Sequence, residues 1–214
     1  MKKAALLLAA ILLLMHPAAA ACLVTGKAYG VGAAAAIVME AESGEVLFAQ
    51  EIHRQLPMAS TTKIMTALLT LEQPNLHQEF TVDETAIRVE GSSMGLRQGD
   101  TVTLYALAVG MLLASGNDAA GAAAVRISGS MKAFVAEMNR RAASLGMNNT
   151  HFVTPSGLDA EEHYSTAYDM ALLARAALQN PLFAGIAASR RMTVSYGQPP
   201  YARSLLNHNR LLSL

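Results

Sequence analysis

Pro57-Met58-Ala59-Ser60-Thr61-Thr62-Lys63-Ile64-Met65-Thr66-Ala67-Leu68-Leu69 is the stretch around which the chain is organised. Pro57 closes an extended segment, and Ser60 or Thr61 can cap a helix in which Ile64, Leu68 and Leu71 recur at helical spacing. Met65, Ala67 and Leu69 fill most of the remaining circumference, so the pattern predicts a helix that is hydrophobic all round and central to its domain. Ser60 and Lys63 lie three residues apart on one side of it and are expected to form a buried polar pair. A serine hydroxyl is a weak nucleophile without a base beside it, and lysine becomes that base when burial lowers its pKa. A helix N-terminus adds free N–H groups for a developing oxyanion. The competing reading of the same residues is a helix cap followed by a surface lysine.

Outward from this stretch, composition sets the bounds. The chain has 214 residues, 52% hydrophobic and 15% charged, with sixteen acidic side chains against sixteen basic ones. That suits one domain with a substantial core, and it leaves no basic footprint for nucleic acid. Met1-Lys2-Lys3, the apolar run Ala4 to Met15 and the small residues Pro17 to Ala21 form a secretory signal peptide over 1–21, too short to span a bilayer. Without Lys2 and Lys3 the remainder carries fourteen basic against sixteen acidic residues. Cys22, the single cysteine, permits no internal disulfide. It follows a small-residue run, but Ala19 stands where lipoprotein sites usually carry Leu, which favours ordinary cleavage over lipidation. The six histidines are scattered without metal-ligand spacing, and no metal or cofactor is called for. Among them His163 alone is kept in view.

Along the chain, residues 34–40 and 45–49 read as strands joined by the turn Ala41-Glu42-Ser43-Gly44, an antiparallel hairpin. Residues 79–104, broken by Gly91, Gly95 and Gly99, read as an excursion beside the central helix. Helices are predicted over 103–114, over 119–126 with Asn117 or Asp118 as cap, over 130–145 with Gly146 as stop, and over 168–178 and 182–188. Met192-Thr193-Val194 reads as a late strand. The arrangement is α+β, with an antiparallel sheet packed on a helical cluster and a visibly thin sheet.

Ser115-Gly116-Asn117 falls at a turn between two helices, where side chains project into a cleft. A second serine there can relay a proton, and an amide can hold a substrate backbone. The same residues equally suit an ordinary turn. Taken with Ser60 and Lys63, and with Gly32 to Gly44, Ser92-Ser93-Met94-Gly95-Leu96, Gly157-Leu158-Asp159 and His163-Tyr164-Ser165-Thr166-Ala167, the sequence resembles the low-molecular-mass penicillin-binding proteins, the serine-type D-Ala-D-Ala carboxypeptidases of bacterial cell walls.

The resemblance implies a penicillin-binding-protein/β-lactamase-like transpeptidase fold. It implies Ser60 as nucleophile on peptidoglycan stem peptides ending in D-Ala-D-Ala, Lys63 as general base, Ser115 as proton relay, and Asn117 orienting substrate and Lys63. β-Lactam antibiotics would acylate Ser60 as substrate mimics. His163 and Tyr164 fall in a matching segment with a loop-packing role. The site would lie outside a bacterial membrane, with no membrane attachment evident in these residues. The family's third motif, Lys-Thr-Gly, is absent, the last lysine being Lys132. Residues 22–214 are therefore expected to be the N-terminal portion of a carboxypeptidase catalytic domain, with the C-terminal sheet strands missing. Three further readings stand beside this one: a catalytically inactive fragment or muropeptide-binding protein, a D,D-endopeptidase, and a β-lactamase. Ser-Gly-Asn in place of Ser-Asp-Asn argues against a class A β-lactamase.

Overall fold

A computed structural model describes residues 24–25 and 31–213. The signal peptide and Cys22 lie outside the described residues. Strands β1 (Val24–Thr25), β2 (Ala36–Met39) and β3 (Val46–Gln50) form one sheet in the order β1-β3-β2. The predicted hairpin is β2–β3, antiparallel, with Val38 opposite Phe48 and a bulge at Met39. The β1–β3 pairing is parallel, so this sheet is mixed where a purely antiparallel one was expected.

From β3 the chain reaches Leu56, which bridges Ser165, and enters a 3-10 turn over Ala59–Thr62. Helix α1 (Lys63–Leu71) follows directly. Neither Ser60 nor Thr61 caps it: the Thr61 hydroxyl donates back to Met58 O at 2.5 Å, and Thr62 supplies the N-cap position without a side-chain bond. Every residue of α1 but Ile64 is buried, as its all-round hydrophobicity required.

The excursion after α1 contains β4 (Glu79–Thr81), the single turn α2 (Glu84–Ile87) and β5 (Thr101–Thr103), with β4 and β5 paired antiparallel. The helical cluster consists of α3 (Leu104–Ala114), α4 (Asn117–Ser128), α5 (Met131–Ser144), α6 (Ala167–Leu178) and α7 (Pro181–Ala188). Local chemistry sets most of their starts, with oxygens of Thr103, Ser130, Thr166 and Asn180 accepting from the first free N–H groups of α3, α5, α6 and α7. The exception is α4, whose N-cap position is Gly116. Its expected caps, Asn117 and Asp118, lie inside the first turn instead, where Asn117 bonds outside the helix and Asp118 accepts from Ala119 N as well as from the 93–96 loop.

The alanines of α4 let neighbours approach closely. A Cβ on Gly121 would fall 2.1 Å from Ala86 O, so the backbone of α2 touches α4 where only glycine fits. Helix α1 packs against α3, α4, α6 and α7, and its Met65 and Leu68 share the core with Leu107, Phe134, Met138, Phe152 and Leu173. The late strand is one arm of a second hairpin, β6 (Arg191–Tyr196) with β7 (Tyr201–Leu206), in a sheet of its own. This hairpin braces the excursion: the Tyr196 hydroxyl donates to Met94 O at 2.6 Å and Gly197 N to Thr101 O at 2.8 Å.

Candidate active site

Ser60 is carried on the 3-10 turn, and Lys63 is the first residue of α1, so the i, i+3 spacing puts both side chains on one side. Lys63 Nζ stands 3.1 Å from Ser60 Oγ and donates to Ser156 O at 2.7 Å. The expectation of a buried pair is corrected here. Lys63 is only 2% exposed, whereas Ser60 faces solvent at the head of the helix. This division suits a nucleophile that must meet a substrate and a base that must stay dry. Burial pushes the Lys63 amine down from its ordinary 10.5 to about 8, against the opposing pull of the Asp118 carboxylate. The Ser60 N–H has no acceptor among the described residues, which leaves it available to a developing oxyanion.

Both serines sit at unusual backbone. Ser115 itself is left-handed, φ 54° and ψ 33°, at the end of α3, and Ala59, just before Ser60, has φ 44°. Non-glycine residues rarely adopt this region, and they do so where the surroundings over-determine it. Around Ser115 the constraint comes from Gly110, whose carbonyl accepts from the N–H groups of both Ser115 and Gly116. The Ser115 hydroxyl has no hydrogen-bond partner among the described residues.

Asn117 is held differently from the expectation. Its Nδ2 donates to Glu90 O at 2.5 Å and its backbone N–H to Ser92 O at 2.7 Å, and no hydrogen bond joins it to Lys63. The side chain is committed to the wall of the excursion. Asp118, unassigned beyond a cap in the sequence, does more. Its Oδ1 accepts from Met94 N and Ala119 N, and its Oδ2 from Ser93 Oγ, Gly95 N and Leu96 N, all within 3.0 Å. One buried carboxylate thus folds the 93–96 loop onto the start of α4 and adds negative charge near Lys63.

Opposite this wall runs the segment 153–157. Pro155 O accepts from Thr66 Oγ1 at 2.6 Å, and Ser156 O is the Lys63 acceptor. Gly157, at φ 84°, lies so close that a Cβ there would fall 1.8 Å from Ala59 O. His163 is buried and bonds both Thr62 Oγ1 (2.9 Å) and Val153 N (2.9 Å), a tie between turn and segment beyond loop packing.

The sequence profile of the D-alanyl-D-alanine carboxypeptidases matches residues 23–213. The chain belongs to that family. It is 40% identical over 152 residues to D-alanyl-D-alanine carboxypeptidase DacF of Bacillus subtilis, covering 69% of this chain and 39% of the relative. It is 40% identical over 154 residues to D-alanyl-D-alanine carboxypeptidase DacB2 of Mycobacterium tuberculosis, covering 71% and 53%. This chain therefore spans about half the length of these curated relatives, or less. The crystal structure of the Streptomyces K15 DD-transpeptidase superposes with a TM-score of 0.79 at 31% identity, over 86% of this chain and 76% of that one. The α+β fold expected from the sequence is the fold of these DD-peptidases. No single helix among the described residues is long and apolar enough to cross a membrane.

Proposed function

We propose that this chain carries the acylating machinery of a serine-type D-Ala-D-Ala carboxypeptidase acting on peptidoglycan stem peptides. The observation that carries the reading is the 3.1 Å contact of an exposed Ser60 hydroxyl with a buried Lys63 amine, whose pKa burial lowers to about 8. At pH 7 about a tenth of such amines are neutral. A neutral Lys63 keeps one N–H on Ser156 O and turns its lone pair to Ser60. Oγ then attacks the carbonyl carbon between the two D-alanines while its proton passes to Nζ.

The tetrahedral oxyanion forms beside the Ser60 N–H. Collapse breaks the C–N bond, and the proton on Lys63 reaches the leaving amine of D-alanine through the Ser115 hydroxyl. Water then hydrolyses the ester, releasing the shortened peptide and restoring Ser60. Asn117, fixed through Nδ2 to Glu90 O and through its backbone N–H to Ser92 O, orients the substrate by its side-chain carbonyl. A β-lactam carbonyl takes the place of the peptide carbonyl, and ring opening leaves a penicilloyl ester on Ser60. Residues 1–21 act as a signal peptide in the same proposal, placing the mature chain, starting at Cys22, outside the membrane of a bacterium.

The test is release of free D-alanine from a peptide ending in D-Ala-D-Ala. Release by the chain, and none by Ser60→Ala, supports the reading. Equal release by the two, or none from folded protein, overturns it.

A further inference from the structure

His163 lies buried between two pieces of backbone that the mechanism needs in register. One is the 3-10 turn that ends at Thr62 and delivers Lys63. The other is the 153–157 segment, whose Ser156 carbonyl receives the Lys63 amine. The bonds fix the ring's protonation state. Val153 N–H points at Nδ1 from 2.9 Å, with Thr154 N–H at 3.4 Å, so Nδ1 presents a lone pair. The proton then sits on Nε2 and is donated to Thr62 Oγ1 at 2.9 Å.

A second proton would go on Nδ1, opposite an N–H donor, and neither group has another acceptor there. The bond to Val153 is lost on protonation, and with it the His163 bridge between segment and turn, leaving, besides the Lys63 amine itself, Thr66 Oγ1 on Pro155 O as the side-chain tie from the segment to α1. Burial lowers the His163 pKa from its ordinary value, the nearby His151 lowers it further, and Asp159 opposes them. His151 is tied through Nδ1 to Glu162 O, and on the remaining side the ring edge meets Phe152, which carries no charge.

We propose that neutral His163 is a positioning residue for Lys63, and that its protonation releases the Ser156 carbonyl from the lysine amine. This rests on the reading of Lys63 as the base. Acylation then needs two deprotonated groups, Lys63 for chemistry and His163 for geometry. Below the titration of His163 the rate falls about 100-fold per pH unit, rather than the tenfold that Lys63 gives alone. His163→Asn keeps an acceptor within reach of Val153 N–H but does not titrate, and its rate falls tenfold per unit throughout.

The experiment pairs the pH profile of acylation by a fluorescent penicillin with the carbon-13 NMR titration of the Lys63 Cε resonance, in wild type and in His163→Asn. The wild-type Lys63 resonance should show a second inflection, at the pH where the His163 ring titrates, and the variant should show none. A single inflection in wild type, or an acid limb of equal slope in both proteins, overturns the proposal. If wild type is not acylated at any pH, the carboxypeptidase reading fails while the Lys63 titration still decides the role of His163. If His163→Asn does not fold, the wild-type titration decides by itself.

Discussion

Ser115→Gly should stabilise the protein while slowing its chemistry. Ser115 has φ 54° and ψ 33°, and its hydroxyl makes no hydrogen bond among the described residues. A non-glycine residue in this conformation costs roughly 1–2 kcal/mol. Glycine relieves that strain but makes the unfolded chain freer, which offsets about 0.4–1 kcal/mol. The net gain lies between about 0 and 1.6 kcal/mol, about 0.8 kcal/mol at the midpoints, or roughly 2–3 °C in Tm for a chain of this size. Urea and thermal unfolding measure it, with Ser115→Ala as control because alanine retains the strain. The order Ser115→Gly above wild type, with Ser115→Ala close to wild type, is expected. Both variants should acylate roughly 100- to 10,000-fold more slowly if the hydroxyl relays the proton. A glycine variant no more stable than the alanine variant would refute the strain argument.

Lys63 sets a second stability term. Its folded pKa of about 8 lies below its ordinary 10.5, so between these values the unfolded chain binds more protons and stability rises with pH. From pH 8 to pH 10, wild type should gain about 2 kcal/mol relative to Lys63→Met, read from urea titrations of both at each pH. Gly157→Ala should destabilise by about 2–4 kcal/mol, since it combines a left-handed backbone with overlap on Ala59 O; equal urea midpoints would contradict this. Asp118→Asn turns amide hydrogens toward the donors of the 93–96 loop and should cost about 2–3 kcal/mol. It also removes the charge that raises the Lys63 pKa, so the base-dependent limb of acylation should move to lower pH; an unmoved limb would show that Asp118 is electrostatically silent.

What the sequence made legible follows from where the determining forces act. The all-round hydrophobicity of α1, the Gly146 stop after α5 and the β2–β3 turn are local, and the structure has them as read. The second arm of the late hairpin escaped because β7 buries only Leu205, and its Ala202-Arg203-Ser204 run shows no alternation. Ser60 and Lys63 are visible as a pair because helical geometry alone brings them together. The partner of Lys63 is a backbone carbonyl at Ser156, ninety-three residues away, and a carbonyl leaves no mark in side-chain sequence. Asp118 carried a signal, an acid in the first turn of a helix, but that signal is shared with any ordinary cap. His163 stood out as a histidine in a polar loop. Its work became apparent only once Thr62 and Val153 were placed on either side of it.

The most direct test of the account is intact-mass analysis of the folded chain beginning at Cys22 after incubation with benzylpenicillin, with Ser60→Ala and Lys63→Met in parallel. A single penicilloyl adduct is expected on wild type, none on Ser60→Ala, and a strongly slowed adduct on Lys63→Met. An adduct that persists in Ser60→Ala, or that forms equally fast without the Lys63 amine, would contradict it.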